Sequence, residues 1–103
     1  MEWLDRHDEF VAMGESATDT EINETLETLS DINNATGFFN LFYSIFFPGK
    51  VIAIKYSANL FYRSIETNRH ALSGTDDRKT LGQHLIYAKS VILRAKEMRI
   101  IKR

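Results

Sequence analysis

Residues 37–50, GFFNLFYSIFFPGK, constrain the fold more than any other part of this sequence. Eight of the ten residues before the single proline are large and apolar. On a helix, the two polar residues, Asn40 and Ser44, are one turn apart and share a narrow stripe, so almost the whole circumference is apolar. We therefore expect a helix that the rest of the chain, or another molecule, covers on nearly every side.

This apolar segment is too short to span a membrane as a helix. Its ten residues would rise about 15 Å, which is half of the roughly 30 Å hydrocarbon core of a bilayer. The remaining interpretations are a core helix, a helix that meets a partner or a second copy, or a hairpin that enters a membrane surface.

Length and composition indicate one domain, residues 1–103, with a single hydrophobic core. The chain has no cysteine, which excludes disulfides, a thiolate nucleophile and cysteine-based zinc sites. The first ten residues, MEWLDRHDEF, are acidic and contain no apolar run typical of a secretory signal. We therefore expect a cytoplasmic location.

The charges are strongly segregated along the chain. Residues 1–34 carry ten acids and one base, a net charge of −9, and residues 78–103 carry eight bases and one acid, a net charge of +7. These segments could lie side by side within one molecule. They could also associate head to tail between copies, or the basic end could bind nucleic acid, anionic lipid or an acidic protein.

Two helices are predicted before the aromatic segment. The first covers residues 2–14, with Gly14 as its end. The second covers residues 20–34, because Thr18 and Glu21 form a capping box. Weak helix formers at residues 33–37 predict a break before an aromatic helix of residues 38–47, with one continuous bent helix as the alternative.

Two more helices are predicted after the proline. Pro48-Gly49 is a turn signal that reverses the chain into a helical hairpin. The next helix covers about 50–72, although alternating residues over Lys50 to Tyr56 also permit a strand. A loop around Gly74 leads to a last helix, 76 to about 100, with a basic end.

Apolar residues at steps of three and four predict which face of each helix is buried. The predicted core faces are Ile22, Leu26, Leu29 and Ile32 or Asn33; Val51, Ile54, Ala58, Phe61 and Ile65; and Leu81, Leu85, Ala88, Val91 or Ile92, Ala95 and Met98. The fold class is therefore all-α: a small antiparallel four-helix bundle around a central hydrophobic helical hairpin, or a five-helix bundle if the break near Gly37 is real.

One spacing of basic residues invites an enzymatic interpretation. Arg78 is followed by five residues and then His84, and Arg63 with His70 gives a second, similar pair. The first pair resembles in outline the Arg-to-His motif of HEPN ribonucleases, which are all-helical. The resemblance implies that Arg78 and His84 act on an RNA backbone, usually across a dimer. The alternative is that His84, which lies on the apolar seam, is a hydrogen-bonded and partly buried histidine.

Other chemistry finds no support in the residues. The three histidines are scattered and form no Glu-x-x-His or His-Glu-x-x-His pair, so no metal site is predicted. The five glycines are isolated and form no phosphate-binding loop. We expect no cofactor and no catalytic residue, and we do not expect a slightly acidic chain to bind nucleic acid.

The sequence therefore predicts a non-catalytic protein-interaction module, such as an adaptor, inhibitor, immunity-type or assembly subunit, that binds a protein partner or itself. The alternatives are a peripheral membrane protein that uses the phenylalanine-rich hairpin with the basic last helix, and the HEPN-like ribonuclease. The candidate hydrophobic contacts are Trp3, Phe38, Phe42, Tyr43 and Phe46, and the candidate electrostatic contacts are Arg94, Lys96 and Arg99.

Overall fold

The computed structural model describes residues 2–35, 45–70 and 75–101, with side chains at 6–35, 45–70 and 77–101. These ranges contain the helices α1 (Glu2–Ser16), α2 (Asp19–Asn33), α3 (Pro48–Arg69) and α4 (Thr75–Glu97). None of the residues in these ranges forms a strand. The all-α prediction is confirmed, and the alternative of a strand at Lys50 to Tyr56 is wrong.

The ends of α2 follow from its capping residues. The Thr18 hydroxyl accepts a hydrogen bond from the Glu21 amide at 3.1 Å, which confirms the predicted cap. At the other end, the backbone N–H of Asn34 donates a hydrogen bond to the backbone carbonyl of Ser30 at 2.9 Å, and the helix ends at Asn33. The predicted break is therefore present at this point, while residues 36–44 lie outside the described residues.

Gly14 does not end α1, because the helix continues to Ser16. Instead, Gly14 is buried where α1 crosses α4. A Cβ atom added there would lie 1.7 Å from the carbonyl oxygen of Arg78, and one added at Gly82 would lie 1.8 Å from that of Phe10. The two glycines therefore let the backbones of α1 and α4 approach more closely than any side chain would permit.

Three further helix boundaries differ from those predicted. Helix α3 begins at Pro48 and not at residue 50, since proline fits the first turn of a helix, where its missing amide is not needed. It ends at Arg69, with His70 as its cap, and not at residue 72. Helix α4 ends at Glu97, three residues before the predicted end.

A Schellman motif explains the early end of α4. The Ile100 amide donates to the Ala95 carbonyl at 2.9 Å, and the Arg99 amide donates to the Lys96 carbonyl at 3.0 Å. Arg99 has φ 57°, the left-handed conformation that this motif requires. The reversal returns Ile100 and Ile101 to the core, where they are buried.

In the described part of the chain, α4 packs against all three other helices, and α2 and α3 also pack against each other. The Cα trace measures 44 × 31 × 19 Å, a thickness that fits about two layers of helices. The predicted core faces are confirmed, with Ile32 and not Asn33 in the core. The shared core comprises Ile22, Leu26, Leu29, Ile32, Val51, Ile54, Ala58, Ile65, Leu81, Leu85, Ala88, Ala95, Met98, Ile100 and Ile101, with Phe61, Val91 and Ile92 half-buried against it.

Candidate interaction surface

Helix α3 is apolar on two opposite faces. Its inner face holds the fold and consists of Val51, Ile54, Ala58 and Ile65, all buried. Its outer face carries Ile52, Tyr56 and Leu60 at 67%, 69% and 48% exposure. Tyr56 lies two residues from both Ile54 and Ala58, about 200° around the helix from each of them. We call Ile52, Tyr56 and Leu60 the outer ridge.

The residues that precede α3 extend this apolar surface. Ile45 and Phe46 are helical and 67% and 64% exposed, and Phe47 is 37% exposed. This end of the aromatic segment is therefore exposed, and a purely intramolecular core does not describe residues 45–47. Phe46, a predicted contact residue, lies on the surface.

The structure does not describe the side chains of the other predicted hydrophobic contact residues. Phe38, Phe42 and Tyr43 lie outside the described residues. Trp3 belongs to α1, and its side chain is outside the described ones as well.

A groove of about 730 Å³ runs beside the outer ridge, between the first half of α3 and the last half of α4. Its apolar lining includes the buried Ile54 and Met98 and the half-buried Val91. Leu93, 59% exposed, stands on the α4 side. The full lining is Lys50, Ala53, Ile54, Ser57, Ser90, Val91, Leu93, Arg94, Glu97 and Met98.

The segments that border this groove are strongly basic. Residues 45–65 and 90–101 together carry six cations, Lys50, Lys55, Arg63, Arg94, Lys96 and Arg99, against the single acid Glu97. The Lys50 ammonium lies 4.8 Å from the centroid of the Phe47 ring. The Lys55 ammonium donates to the Ala35 carbonyl at 2.8 Å, which ties the end of α2 to α3.

The three predicted electrostatic contacts are all exposed at the C-terminal end of α4. Arg94 lines the groove. Lys96 lies in the last turn of the helix, and Arg99 lies in the Schellman motif. Each contributes a positive charge on the surface near the groove.

One described salt bridge joins the acidic part of the chain to the basic part. The Lys89 ammonium lies 2.7 Å from the Glu21 carboxylate, which joins the basic α4 to the acidic α2. Both side chains remain partly exposed, at 46% and 34%, so the pair contributes at most about 1 kcal/mol.

A depression of opposite charge lies between α2 and α3. It has a volume of about 360 Å³ and is lined by Glu27, Asp31 and Glu66 among other residues. The Arg69 guanidinium bonds to the Asn23 side-chain oxygen at 2.8 Å across it. The hydrogen bond to Glu66 raises the pKa of Tyr62 above its ordinary value. The molecule therefore presents a basic groove on α3–α4 and an acidic depression on α2–α3.

The side chains of the HEPN-like pair lie on different sides of α4. Arg78 and His84 are six positions apart in the sequence, so their side chains point about 120° apart on the helix. Arg78 is exposed, whereas the His84 ring lies 6.0 Å from the ring of Phe61. Within one chain, the two groups therefore do not converge on a common face.

One side of the His84 ring lies in an apolar environment. Its Nδ1 atom is buried and has no hydrogen-bond partner among the described residues. The expected hydrogen bond is therefore absent at this nitrogen. Burial lowers the pKa of His84 below its ordinary value. An aromatic cluster continues beyond it, since the Tyr87 ring lies 5.9 Å from the rings of both Phe61 and Phe10.

Within the described ranges, no group of three or more acidic or histidine side chains is placed to hold a metal ion. None of the helices in those ranges combines the length with the apolar run that crossing a bilayer demands.

The outer ridge was not among the predicted contact residues. Its signal was present in the sequence, because Ile52, Tyr56 and Leu60 recur every four residues on the side of α3 away from the predicted core face.

Searches against protein-family models, curated proteins and solved structures found no match for this chain.

Proposed function

We propose that this protein is a non-catalytic interaction module that binds a protein partner through the outer ridge of α3 and the groove beside it. Such a module would act as an adaptor, inhibitor or assembly subunit. The absence of cysteine is compatible with a reducing compartment, and the proposal places the chain in the cytoplasm.

The observation that carries this proposal is the double apolar character of α3. A helix that is apolar on both sides is usually covered on both sides, yet the three residues of the outer ridge are between 48% and 69% exposed. With Ile45, Phe46 and Leu93 they offer roughly 700 Å² of surface, if a large side chain exposes about 150 to 250 Å² when free. A typical specific interface buries about 800 Å² on each partner.

A membrane surface is the second candidate, and one observation favours it. Residues 32–65 contain no Asp or Glu but include three cations. Of the seven large hydrophobic residues that are exposed in the described part of the chain, six lie in this range. Apolar side chains flanked by cations alone are typical of segments that lie on anionic bilayers.

Photo-crosslinking in the cells that produce the protein tests the proposal. The photoreactive amino acid p-benzoylphenylalanine would replace Tyr56 in one variant and Glu24, on the exposed acidic side of α2, in a control variant. We expect a discrete crosslinked protein band from position 56 that is absent from position 24. Equal labelling from both positions, or none from position 56, would contradict the proposal.

Vesicle flotation separates the second candidate. The purified chain would be mixed with phosphatidylcholine vesicles, with and without phosphatidylserine. If Tyr56→Asp abolishes flotation with the anionic vesicles and position 56 crosslinks to no protein, the outer ridge serves a membrane and not a protein partner.

A further inference from the structure

We propose that the groove between α3 and α4 receives an amphipathic helix of a partner protein, and that the polar face of this helix carries Asp and Glu. The inference rests on the proposed function and specifies the chemistry of the partner.

The dimensions of the groove suit two turns of a helix. The lining runs from Lys50 to Ser57 in α3, and from Ser90 in α4 to Met98 just after its end. At about 1.5 Å per residue, each of these stretches is about 10 to 12 Å long. The apolar lining would accept side chains from one face of the partner helix, spaced by three and four residues. Leu93, 59% exposed on the α4 side, would pack against that face.

The charges around the groove select an acidic partner. Arg94 and Lys50 line the groove, and Lys96 and Arg99 lie exposed at the same end of α4. Glu97 is the single acid in the two bordering segments. A partner helix with acids beside its apolar face would pair with these cations, whereas a basic helix with the same apolar face would be repelled.

The other occupants fit less well. A second copy related by a two-fold axis would place the same cations opposite one another. The chain's own acidic helix, α2, already buries its apolar face against α3 and α4. A bilayer is flat on this scale, so it would touch the outer ridge but leave the buried Ile54 and Met98 of the groove uncontacted.

Two synthetic peptides of the same length provide the test. Both carry Leu at positions i, i+3, i+4 and i+7 of each repeat, and the remaining positions are Glu in one peptide and Lys in the other. Fluorescence anisotropy would measure their binding to the full chain and to three variants. Leu93→Ala and Arg94→Glu alter the groove, and Lys79→Glu reverses a charge at the opposite end of α4 as a control.

We expect the Glu peptide to bind saturably and the Lys peptide not to bind. The affinity for the Glu peptide should fall about tenfold or more in Arg94→Glu and in Leu93→Ala, and it should be unchanged in Lys79→Glu. Absence of Glu-peptide binding, equal binding of both peptides, or equal effects of Arg94→Glu and Lys79→Glu would overturn the inference. If crosslinking from position 56 persists in that case, only the acidic-helix inference fails and the interaction role stands.

Two further outcomes would also overturn it in favour of another occupant. A concentration-dependent dimer in sedimentation that Leu93→Ala abolishes would identify a second copy. Flotation with phosphatidylserine vesicles that Leu93→Ala abolishes and the Glu peptide does not inhibit would identify a membrane surface.

Discussion

His84 contributes to the fold in its neutral form. Its Nδ1 is buried without a hydrogen-bond partner in the described part of the chain, and burial lowers its pKa. In the unfolded chain the pKa of a histidine is about 6.5. The unfolded chain therefore binds a proton at this residue more readily than the folded chain does. The stability that this difference confers is present above pH 6.5 or so, and it is lost as the pH falls through the lowered pKa of the folded state.

We predict that His84→Leu flattens the pH dependence of folding. Urea unfolding measured from pH 7.5 to 5.5 should show a smaller loss of stability in the variant than in the natural chain, and no loss of stability at pH 7.5. His70→Gln, at the exposed end of α3, is the control and should keep the natural pH dependence. An unchanged slope in His84→Leu would show that another group governs this range.

Arg99 adopts an unfavourable backbone conformation just after the end of α4. With φ 57° it occupies the left-handed region that glycine adopts without strain. We predict that Arg99→Gly raises the free energy of unfolding by about 1 kcal/mol. Lys96→Gly, inside the helix three residues earlier, should lower it by a similar amount, and both values come from urea titrations. A loss of stability in Arg99→Gly would contradict the role assigned to the Schellman motif.

At the scale of elements, the crossing of α1 and α4 depends on two glycines. We predict that Gly14→Ala and Gly82→Ala each destabilise the fold by about 2 kcal/mol or more, because the added Cβ would meet backbone atoms that cannot rotate away. Thermal unfolding followed by circular dichroism would measure this.

Gly49→Ala is the matched control for that crossing. Apart from its chain neighbours and the backbone of its own helix, none of the described residues has a heavy atom within 4 Å of a Cβ added at Gly49, which lies in the first turn of α3. It should be neutral or stabilise the chain by up to about 1 kcal/mol, as the better helix former. If all three substitutions behave alike, helix propensity and not the crossing determines their effect.

Helices were predictable from the sequence because local signals specify them. Steps of three and four placed Leu81, Leu85 and Ala88 on one face, and all three are buried. Thr18 and Glu21 marked a helix start that the structure contains. Gly14 was misjudged, since glycine favours both helix ends and close crossings, and only the position of a second helix decides between them.

The candidate surface was harder to predict because it depends on where the neighbouring helices lie. Periodicity shows that α3 has apolar residues on two sides, but it does not show which side its neighbours cover. Tyr56 is exposed and Ile54 buried because α2 and α4 both pack on one side of α3. His84 was recognised as a seam residue, but its apolar neighbour Phe61 lies on another helix, and a contact between helices is not visible in the local sequence.

At the scale of the whole molecule, a thickness of 19 Å leaves each helix with one side toward solvent. On α2 that side is mostly acidic, with Glu24 and Glu27 exposed, whereas on α3 it carries the outer ridge. The acidic segment of the chain and its basic end meet at Lys89 and Glu21. Near the groove, the exposed cations are Lys50, Arg63, Arg94, Lys96 and Arg99. This asymmetry separates the acidic face of α2 from the apolar face of α3 that we propose as a contact surface.

The most direct test is the free energy of unfolding, measured by urea titration, of a chain in which Ile52, Tyr56 and Leu60 are all replaced by Gln. We predict a change within about 1 kcal/mol, because exposed side chains contribute little to folding stability. The single substitution Ile54→Gln, on the buried face of the same helix, should cost several times as much, about 3 kcal/mol or more. A loss of several kcal/mol in the triple variant would show that the outer ridge belongs to the core and is not a surface for a partner.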